Sequence, residues 1–234
     1  MKKQEPEEVV RGSIGWARRC LDHALFQSGF PAEAPPFNKF RSHPHVGVAW
    51  FSDTVLLYTR TDTDTDAAFL TRACSWFLFE TIVVAKARMR LGLAYGPLLV
   101  DEENAVHVGL SIVHANDTEK QQEWSGGALH STAEERLGPL IDSLPVIKYT
   151  VPIKPAEIPT KKMLALSHAI DWTSEIHEVL TFAWAPQSAD APNAVRNGAA
   201  DIVRKFENTR LFHEKMCAYP RCREGRGLPA YGPV

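Results

Sequence analysis

Asp53 is the residue in this sequence whose surroundings point most directly to chemistry. It lies in the segment from Val46 to Tyr58, which is nearly continuous in apolar residues apart from Gly47 and Ser52-Asp53-Thr54. A carboxylate in such surroundings is costly to bury unless a cation pairs with it or it binds a metal ion. Asp53 is therefore a candidate ligand for a divalent cation. The alternative is that it only hydrogen-bonds a loop at a strand edge, and the residue by itself leaves both open.

Other residue types suited to chemistry lack the spacing of a known site. The stretch from Thr61 to Asp66 alternates threonine with acids but has neither the glycine nor the distal glutamate of a calcium loop, so it predicts a solvated loop and a helix start. No histidines have helical zinc spacing, and the four cysteines show no metal pattern, which indicates small buried thiols. Gly92 and Gly96 would let the backbone approach a ligand or a neighbouring strand, or would serve helix-on-sheet packing.

The order of elements predicted from apolar spacing is that of an α+β domain in which helices back an antiparallel sheet. A long buried helix from Ala67 to Met89 separates two strands, Phe37 to Arg41 and Val46 to Thr59, from a third at Leu91 to Val100. The other predicted elements are a helix at Glu7 to Gln27, a strand at Ala105 to Val108, a helix at Leu110 to Gln122, a strand at Gly126 to His130, a helix capped by Ser131, an extended stretch at Pro145 to Pro159, and a C-terminal unit at Leu164 to Asp171 and Asn193 to Glu214.

Composition indicates a cytoplasmic protein. The chain has 234 residues, 44% of them hydrophobic, with 26 basic against 28 acidic residues. This balance predicts no nucleic-acid surface and no polybasic membrane anchor. The longest apolar runs are far short of a bilayer span, and Met1 to Glu8 lacks the apolar region of a signal peptide. We expect a core at residues 1–144, an extension packed on it at 145–216, and a loose tail at 217–234.

The motifs, taken in order, resemble the class III nucleotide cyclase domain. Its features are an aspartate in a hairpin strand, here Asp53, then a long helix and an Arg-x-Gly-x-x-x-Gly strand, here Arg90 to Gly96. A glycine and a polar helix follow, here Gly109 and Leu110 to Gln122. A bacterial branch that includes the pyrimidine cyclases of the Pycsar anti-phage systems is similar over a longer stretch, about Phe40 to Glu214. The residues that carry this longer similarity are Glu119, Gln122, Trp124, Gly126 to His130, Ala169 to Trp172, and Lys205 to Thr209.

The resemblance implies a reaction and roles for particular residues. A cyclase joins the ribose 3′-hydroxyl of a nucleoside triphosphate to the α-phosphate and releases pyrophosphate, with Mn²⁺ or Mg²⁺ neutralising charge. Asp53 would be one of two metal-binding carboxylates. The helix that faces the transition state would present His114, Asn116 and Thr118. Here the sequence departs from the family, since His114 stands where the family has asparagine and Thr118 where it has arginine.

The resemblance also implies a substrate and an assembly. Adenylyl cyclases commonly carry a lysine four residues before the hairpin aspartate, and here that position is Ala49. Alternation along a strand would place Ala49, Phe51 and Asp53 on one face, with no charged group to read a purine. We therefore expect a pyrimidine, with cyclic UMP ahead of cyclic CMP. The family also implies a homodimer with the site between protomers, and a separate cyclic-nucleotide-binding effector encoded nearby.

The first strand of a cyclase core, with its second metal aspartate, has no counterpart here. Only Met1 to Pro6 precede the first predicted helix, and no upstream acid lies in an apolar strand pattern. Two explanations are open, a misassigned start codon or a degenerate domain that has lost catalysis, and we favour the first. The competing functions are a non-catalytic module that binds a nucleotide or a partner, and a purely structural domain.

Overall fold

The structure is a computed structural model that describes residues 6–28, 43–51, 54–85, 87–155, 165–173 and 200–218. The helices in this part of the chain are α1 (Pro6–Gln27), α2 (Asp64–Phe79), α3 (Leu110–Gln121), α4 (Ser131–Leu137) and α5 (Ala200–Ala218). The strands are β1 (Val46–Phe51), β2 (Thr54–Thr59), β3 (Arg90–Leu93), β4 (Leu99–Asp101), β5 (Val106–Val108), β6 (Gly126–Leu129), β7 (Val146–Lys148) and β8 (His168–Ile170). A π-helical turn, Glu80–Val84, extends α2, and a 3-10 turn, Gly138–Ser143, follows α4.

The described strands form three small sheets. The largest has the order β3-β6-β8-β7, in which β3 runs parallel to β6 and the other pairs are antiparallel. Strands β1 and β2 form one antiparallel hairpin, and β4 and β5 form another. The predicted class, α+β with antiparallel pairing and helices as backing, is confirmed at this level.

Helix α2 is the centre of the hydrophobic core. Its buried face includes Phe69, Leu78 and Phe77, and α1 packs on it through buried residues such as Leu21. The helix begins at a threonine cap, because the Thr63 side chain accepts a hydrogen bond from the Asp66 N–H at 3.2 Å. Of the helices described, Asp64–Val84 alone is long and apolar enough to cross a membrane, although apolar run length had predicted none. Its most apolar window is 72% buried, which is the pattern of a core helix.

The start of β1 is anchored to the start of α2 by two histidines. The Nδ1 atom of buried His43 accepts hydrogen bonds from the N–H groups of His45 and Val46, both at 3.0 Å. Burial, then the neighbouring charges of His45 and Arg60, lowers the pKa of His43 to about 4. His45 Nδ1 lies 2.7 Å from the Asp66 carboxylate, which is buried at the N-terminus of α2.

The C-terminal helix α5 is fixed to the core by one threonine and by aromatic packing. Thr209 Oγ1 accepts a hydrogen bond from the Ser125 N–H at 2.8 Å and donates to Lys205 O at 2.7 Å. Phe212 packs edge-to-face on Trp124, which is fully buried. Trp124 and Trp172 are both buried and belong to the same core.

Local predictions are mostly confirmed, with four corrections of extent. The segment predicted as one strand from Val46 to Thr59 is a hairpin, in which Phe51 at the end of β1 pairs with Thr54 at the start of β2. The predicted strand from Leu91 to Val100 is broken between β3 and β4, and the long helix ends before Met89. The cap of α4 is His130 rather than Ser131, because its side chain accepts from the Thr132 N–H. The strand predicted at residues 37–41 lies outside the described residues. Of the tail predicted at 217–234, Cys217 and Ala218 belong to the end of α5, and residues 219–234 lie outside the described part of the chain.

Candidate functional site

A cleft of about 1220 Å³ lies between the β1–β2 hairpin and the four-stranded sheet. One wall is the whole of β2 with the residues that follow it, 54–63, and the opposite wall is the whole of β3 with its flanks, 88–98. The floor comes from α2, and α3 contributes a third side. The cleft therefore lies where the segments that carry the cyclase resemblance meet.

Helices α2 and α3 cover opposite faces of β3. A Cβ on Gly92 would lie 2.0 Å from Ala115 O, so the backbone of α3 sits directly on that face. A Cβ on Gly127, the partner of Leu91 in the neighbouring strand, would lie 2.8 Å from the Leu78 side chain of α2. Because side chains alternate along a strand, Gly92 and Leu91 lie on opposite faces of β3. Helices α3 and α2 therefore cover opposite faces of this strand.

One end of the cleft is closed by polar contacts between its walls. The Tyr95 hydroxyl, after β3, donates to Asp62 Oδ2, after β2, at 3.0 Å. Arg136 of α4 contacts Asp62 at 3.3 Å and Asp64 at 2.8 Å. The bonds with Asp64 and Asp62 raise the pKa of Arg136, and the bond with Asp62 raises that of Tyr95. These contacts place the C-terminal ends of β2 and β3 at the same end of the cleft.

Most of the charge along the cleft is paired. Arg60 lies 2.9 Å from Glu102, and Arg90 lies 2.7 Å from Glu119. Arg88 is exposed, and its guanidinium lies 5.1 Å above the ring of Phe206. Together with the half-buried Lys205, Arg88 gives the far end of the cleft a positive character suited to phosphate.

Four of the residues predicted to act in binding or catalysis line this cleft. Phe51 lies at the end of β1, 45% exposed, with its ring edge-to-face on His107 at 5.6 Å. Gly92 lies in β3, and Gly96 follows it with a φ of 156°, where a side chain would be strained. Asn116 is exposed on α3 and also faces the cleft.

The other predicted residues lie elsewhere. Ala49 is half-buried within β1, opposite Leu56. Thr118 is fully buried, and its hydroxyl has no hydrogen-bond partner in the described part of the chain. His114 stacks on His130 with ring centroids 4.3 Å apart. Burial and then the proximity of His114 lower the pKa of His130.

The predicted metal ligand Asp53 falls outside the described residues, between the paired residues Phe51 and Thr54. Among the residues that are described, no group of three histidine, cysteine, aspartate or glutamate side chains could hold a metal ion.

Sequence reasoning missed the residues that join the walls and the cations at the far end. Asp62 and Asp64 were assigned to a solvated loop, but they hold Arg136 across the cleft. Arg88 had no signal of its own, because it falls near the end of the helix predicted from Ala67 to Met89. The alternating acids after β2, Asp62 and Asp64, are the only sequence feature that could have suggested a basic partner such as Arg136.

Comparison with known proteins adds no assignment. No family model, curated protein or solved structure matches this chain significantly.

Proposed function

We propose that this protein is a class III-type nucleotide cyclase built on a ferredoxin-like core. The observation that carries the proposal is that the hairpin at Phe51, the glycine strand with Gly92 and Gly96, and α3 with Asn116 line one cleft. These segments are far apart in the chain, and they are the ones on which the cyclase resemblance depends. Their convergence supports a common site.

The proposed reaction makes a 3′,5′-cyclic nucleotide from a nucleoside triphosphate. The ribose 3′-oxygen bonds to the α-phosphorus, the bond from that phosphorus to the bridging oxygen breaks, and pyrophosphate leaves while water takes the hydroxyl proton. Arg88 and Lys205 would attract the triphosphate at the far end of the cleft. The resemblance alone suggests Mn²⁺ or Mg²⁺ as cofactor and Asp53 as a ligand.

The proposed substrate is a pyrimidine nucleotide, giving cyclic UMP ahead of cyclic CMP. The resemblance alone assigns Ala49, which lies outside the cleft, to the position where adenylyl cyclases carry a purine-reading lysine. Phe51 is an exposed aromatic ring at the cleft. By the same resemblance the product would be a second messenger in anti-phage defence, acting on a separate effector. The active form would be a cytoplasmic homodimer.

A non-catalytic nucleotide-binding module is the second candidate, and one observation favours it. Thr118 stands where the family has a cationic donor, and it is fully buried rather than presented to the cleft. Without that donor, charge developing on the α-phosphate has less stabilisation, whereas binding in the cleft would persist.

The decisive experiment is to incubate the protein with each of the four ribonucleoside triphosphates and Mn²⁺ or Mg²⁺, and to identify cyclic products by mass spectrometry. We expect a cyclic pyrimidine nucleotide from the unaltered protein and none from Asp53→Asn. Glu135→Gln is the matched control, because Glu135 is an exposed acid on α4. Its activity should equal that of the unaltered protein.

Four results would each contradict a part of the proposal. Full activity of Asp53→Asn would remove Asp53 from the mechanism, and cyclic AMP as the main product would remove the pyrimidine preference. No cyclic product from any nucleotide, together with calorimetric nucleotide binding, would establish the second candidate. Sedimentation measures assembly, and an active monomer at micromolar concentration would refute the dimer.

A further inference from the structure

The helix whose arginine closes one end of the cleft begins at a side chain that can bind a proton. His130 is 7% exposed and is the N-cap of α4. Its Nδ1 atom accepts hydrogen bonds from the Thr132 N–H at 3.2 Å and from the Thr132 hydroxyl at 2.9 Å. An imidazole nitrogen that accepts a hydrogen bond carries no proton, so Nε2 holds the one proton of the neutral ring. A second proton can bind only at Nδ1, the atom that caps the helix.

The first turn of α4 is connected to both contacts that cross the cleft. The Thr132 hydroxyl accepts a hydrogen bond from the Tyr95 N–H at 3.1 Å, and the Tyr95 ring hydroxyl donates to Asp62. Arg136 lies one turn after Thr132, on the same face of the helix, and pairs with Asp62 and Asp64. A change at the start of α4 therefore reaches Asp62 by two routes, through Tyr95 and through Arg136.

In the described part of the chain, groups from two helices determine how readily the His130 ring takes a charge. On α3, the ring of His114 stacks on it with planes 11° from parallel, and Asp117 also interacts with it. On α4 the interacting acid is Glu134, which pairs with His168 of β8 at 2.9 Å. Burial, then the proximity of His114, lowers the pKa of His130, and the two acids offset this only in part. The folded site therefore favours the neutral ring.

Protonation of Nδ1 removes the acceptor at the start of α4. The Thr132 N–H then loses its side-chain partner, and the Thr132 hydroxyl can no longer donate to the ring. The new positive charge lies beside a second imidazole and at the positive end of the helix dipole, and both positions are unfavourable. Because α4 has only seven residues, it has few internal hydrogen bonds to compensate. The charged form of His130 therefore destabilises the first turn of α4.

We propose that His130 is a proton-operated switch for the closed end of the cleft. With His130 neutral, α4 is capped, and Asp62 is bound by both Tyr95 and Arg136. When Nδ1 takes up a proton from solvent, the first turn of α4 loosens, and the contacts of Tyr95 and Arg136 with Asp62 are lost. This proposal rests on the contacts around α4 and not on the proposed cyclase activity.

The direction of the pH dependence follows from the pKa of His130. Because this pKa is lowered in the closed form, the open form binds a proton more readily. The closed form should therefore be fully populated above pH 6.5, the ordinary value for histidine, and be lost as the pH falls through the lowered pKa. Protonation of Asp62 or Asp64 would break the same contacts, so the test must separate the histidine from these carboxylates.

Amide hydrogen exchange followed by NMR from about pH 8 to about pH 5 tests the proposal, with the charge of His130 read from its own ring signals. Protection factors compare each amide with an unfolded chain at the same pH. They should fall about tenfold or more at Thr132 and Tyr95 as His130 takes up its proton. The Nε–H signal of Arg136, which reports the contact with Asp62, should move over the same pH range.

Two variants and one control amide assign the effect to His130. In His130→Asn the cap remains but does not titrate, so protection at Thr132 should stay high and independent of pH. In His114→Gln the stacked imidazole is absent, so the loss of protection should occur at a higher pH. The control is the Gly126 N–H at the other end of β6, which donates to Met89 O at 2.9 Å and should keep its protection throughout.

Three outcomes would each overturn the proposal. The first is protonation of His130 without loss of protection at Thr132 and Tyr95. The second is an equal loss at the same pH in His130→Asn, which would assign the effect to the carboxylates. The third is an equal loss at Gly126, which would mean general unfolding and not the release of α4. An unchanged midpoint in His114→Gln would contradict the part assigned to the stacked ring.

Discussion

Replacement of Gly92 by alanine should separate α3 from β3. A Cβ at this position would lie 2.0 Å from Ala115 O and 2.9 Å from the Glu119 backbone nitrogen. Ordinary van der Waals contact begins at 3.4 Å, so the helix would have to move by about 1.4 Å, and the obstacle is backbone that no rotamer change can clear. We expect Gly92→Ala to lower the free energy of unfolding by about 1–3 kcal/mol, the usual range for overpacking.

Urea unfolding followed by circular dichroism measures this change, and Gly15→Ala is the matched control. Gly15 lies within α1, and a Cβ added there would meet no atom within 4 Å, so alanine should be neutral or stabilise by up to about 1 kcal/mol. Equal midpoints for Gly92→Ala and the unaltered protein would refute the packing argument. If stability were unchanged but nucleotide affinity fell, Gly92 would instead serve as a backbone cradle for a ligand.

Three further changes test the energetics of the core. The pKa of His43 is lowered to about 4 from an ordinary 6.5, so between these pH values only the unfolded chain binds a proton at this residue. The free energy of unfolding should therefore be complete above pH 6.5 and fall by about 3 kcal/mol as the pH drops through 4. The dependence of the urea midpoint on pH should be weaker in His43→Gln, and an unchanged dependence would contradict this. Thr118→Val removes a buried hydroxyl that lacks a hydrogen-bond partner among the described residues, so the free energy of unfolding should rise by about 1 kcal/mol. A lower urea midpoint would show that this hydroxyl is hydrogen-bonded. Thr209→Val makes the same chemical change but leaves the buried Ser125 N–H unpaired, so it should lower the free energy of unfolding by about 1–3 kcal/mol in the same assay. A urea midpoint equal to that of Thr118→Val would refute the role of Thr209 in fixing α5 to the core.

The helices and several strands could be predicted because their evidence is local. Apolar spacing predicted α1 at Glu7 to Gln27, and it placed α3 and β6 to within a residue or so of their observed ends. The Thr61 to Asp66 stretch predicted the start of α2, where Thr63 makes the cap. Apolar spacing and capping depend on residues only a few positions apart, and these are present in the sequence.

The candidate site was only partly predictable. Phe51, Gly92, Gly96 and Asn116 line the cleft, but helical spacing alone did not show that Thr118 turns inward. Which face of α3 is buried depends on how closely this helix packs on β3. The close packing occurs at Gly92, and a glycine in the sequence does not by itself indicate a helix contact. The pairing of Arg136 with acids more than seventy positions earlier also has no local trace.

The sequence by itself determined the α+β class, the buried central helix, and the order of the segments that resemble a cyclase. Tertiary structure alone decided that the apolar segment from Val46 to Thr59 folds back as a hairpin, that α2 and α3 cover opposite faces of β3, and that β2 and β3 face each other across a cleft. The physical reason is that an apolar pattern reports whether a segment is buried, whereas strand pairing and helix approach are contacts between distant segments. Such contacts are fixed only when backbone donors, acceptors and packing surfaces meet in the folded chain.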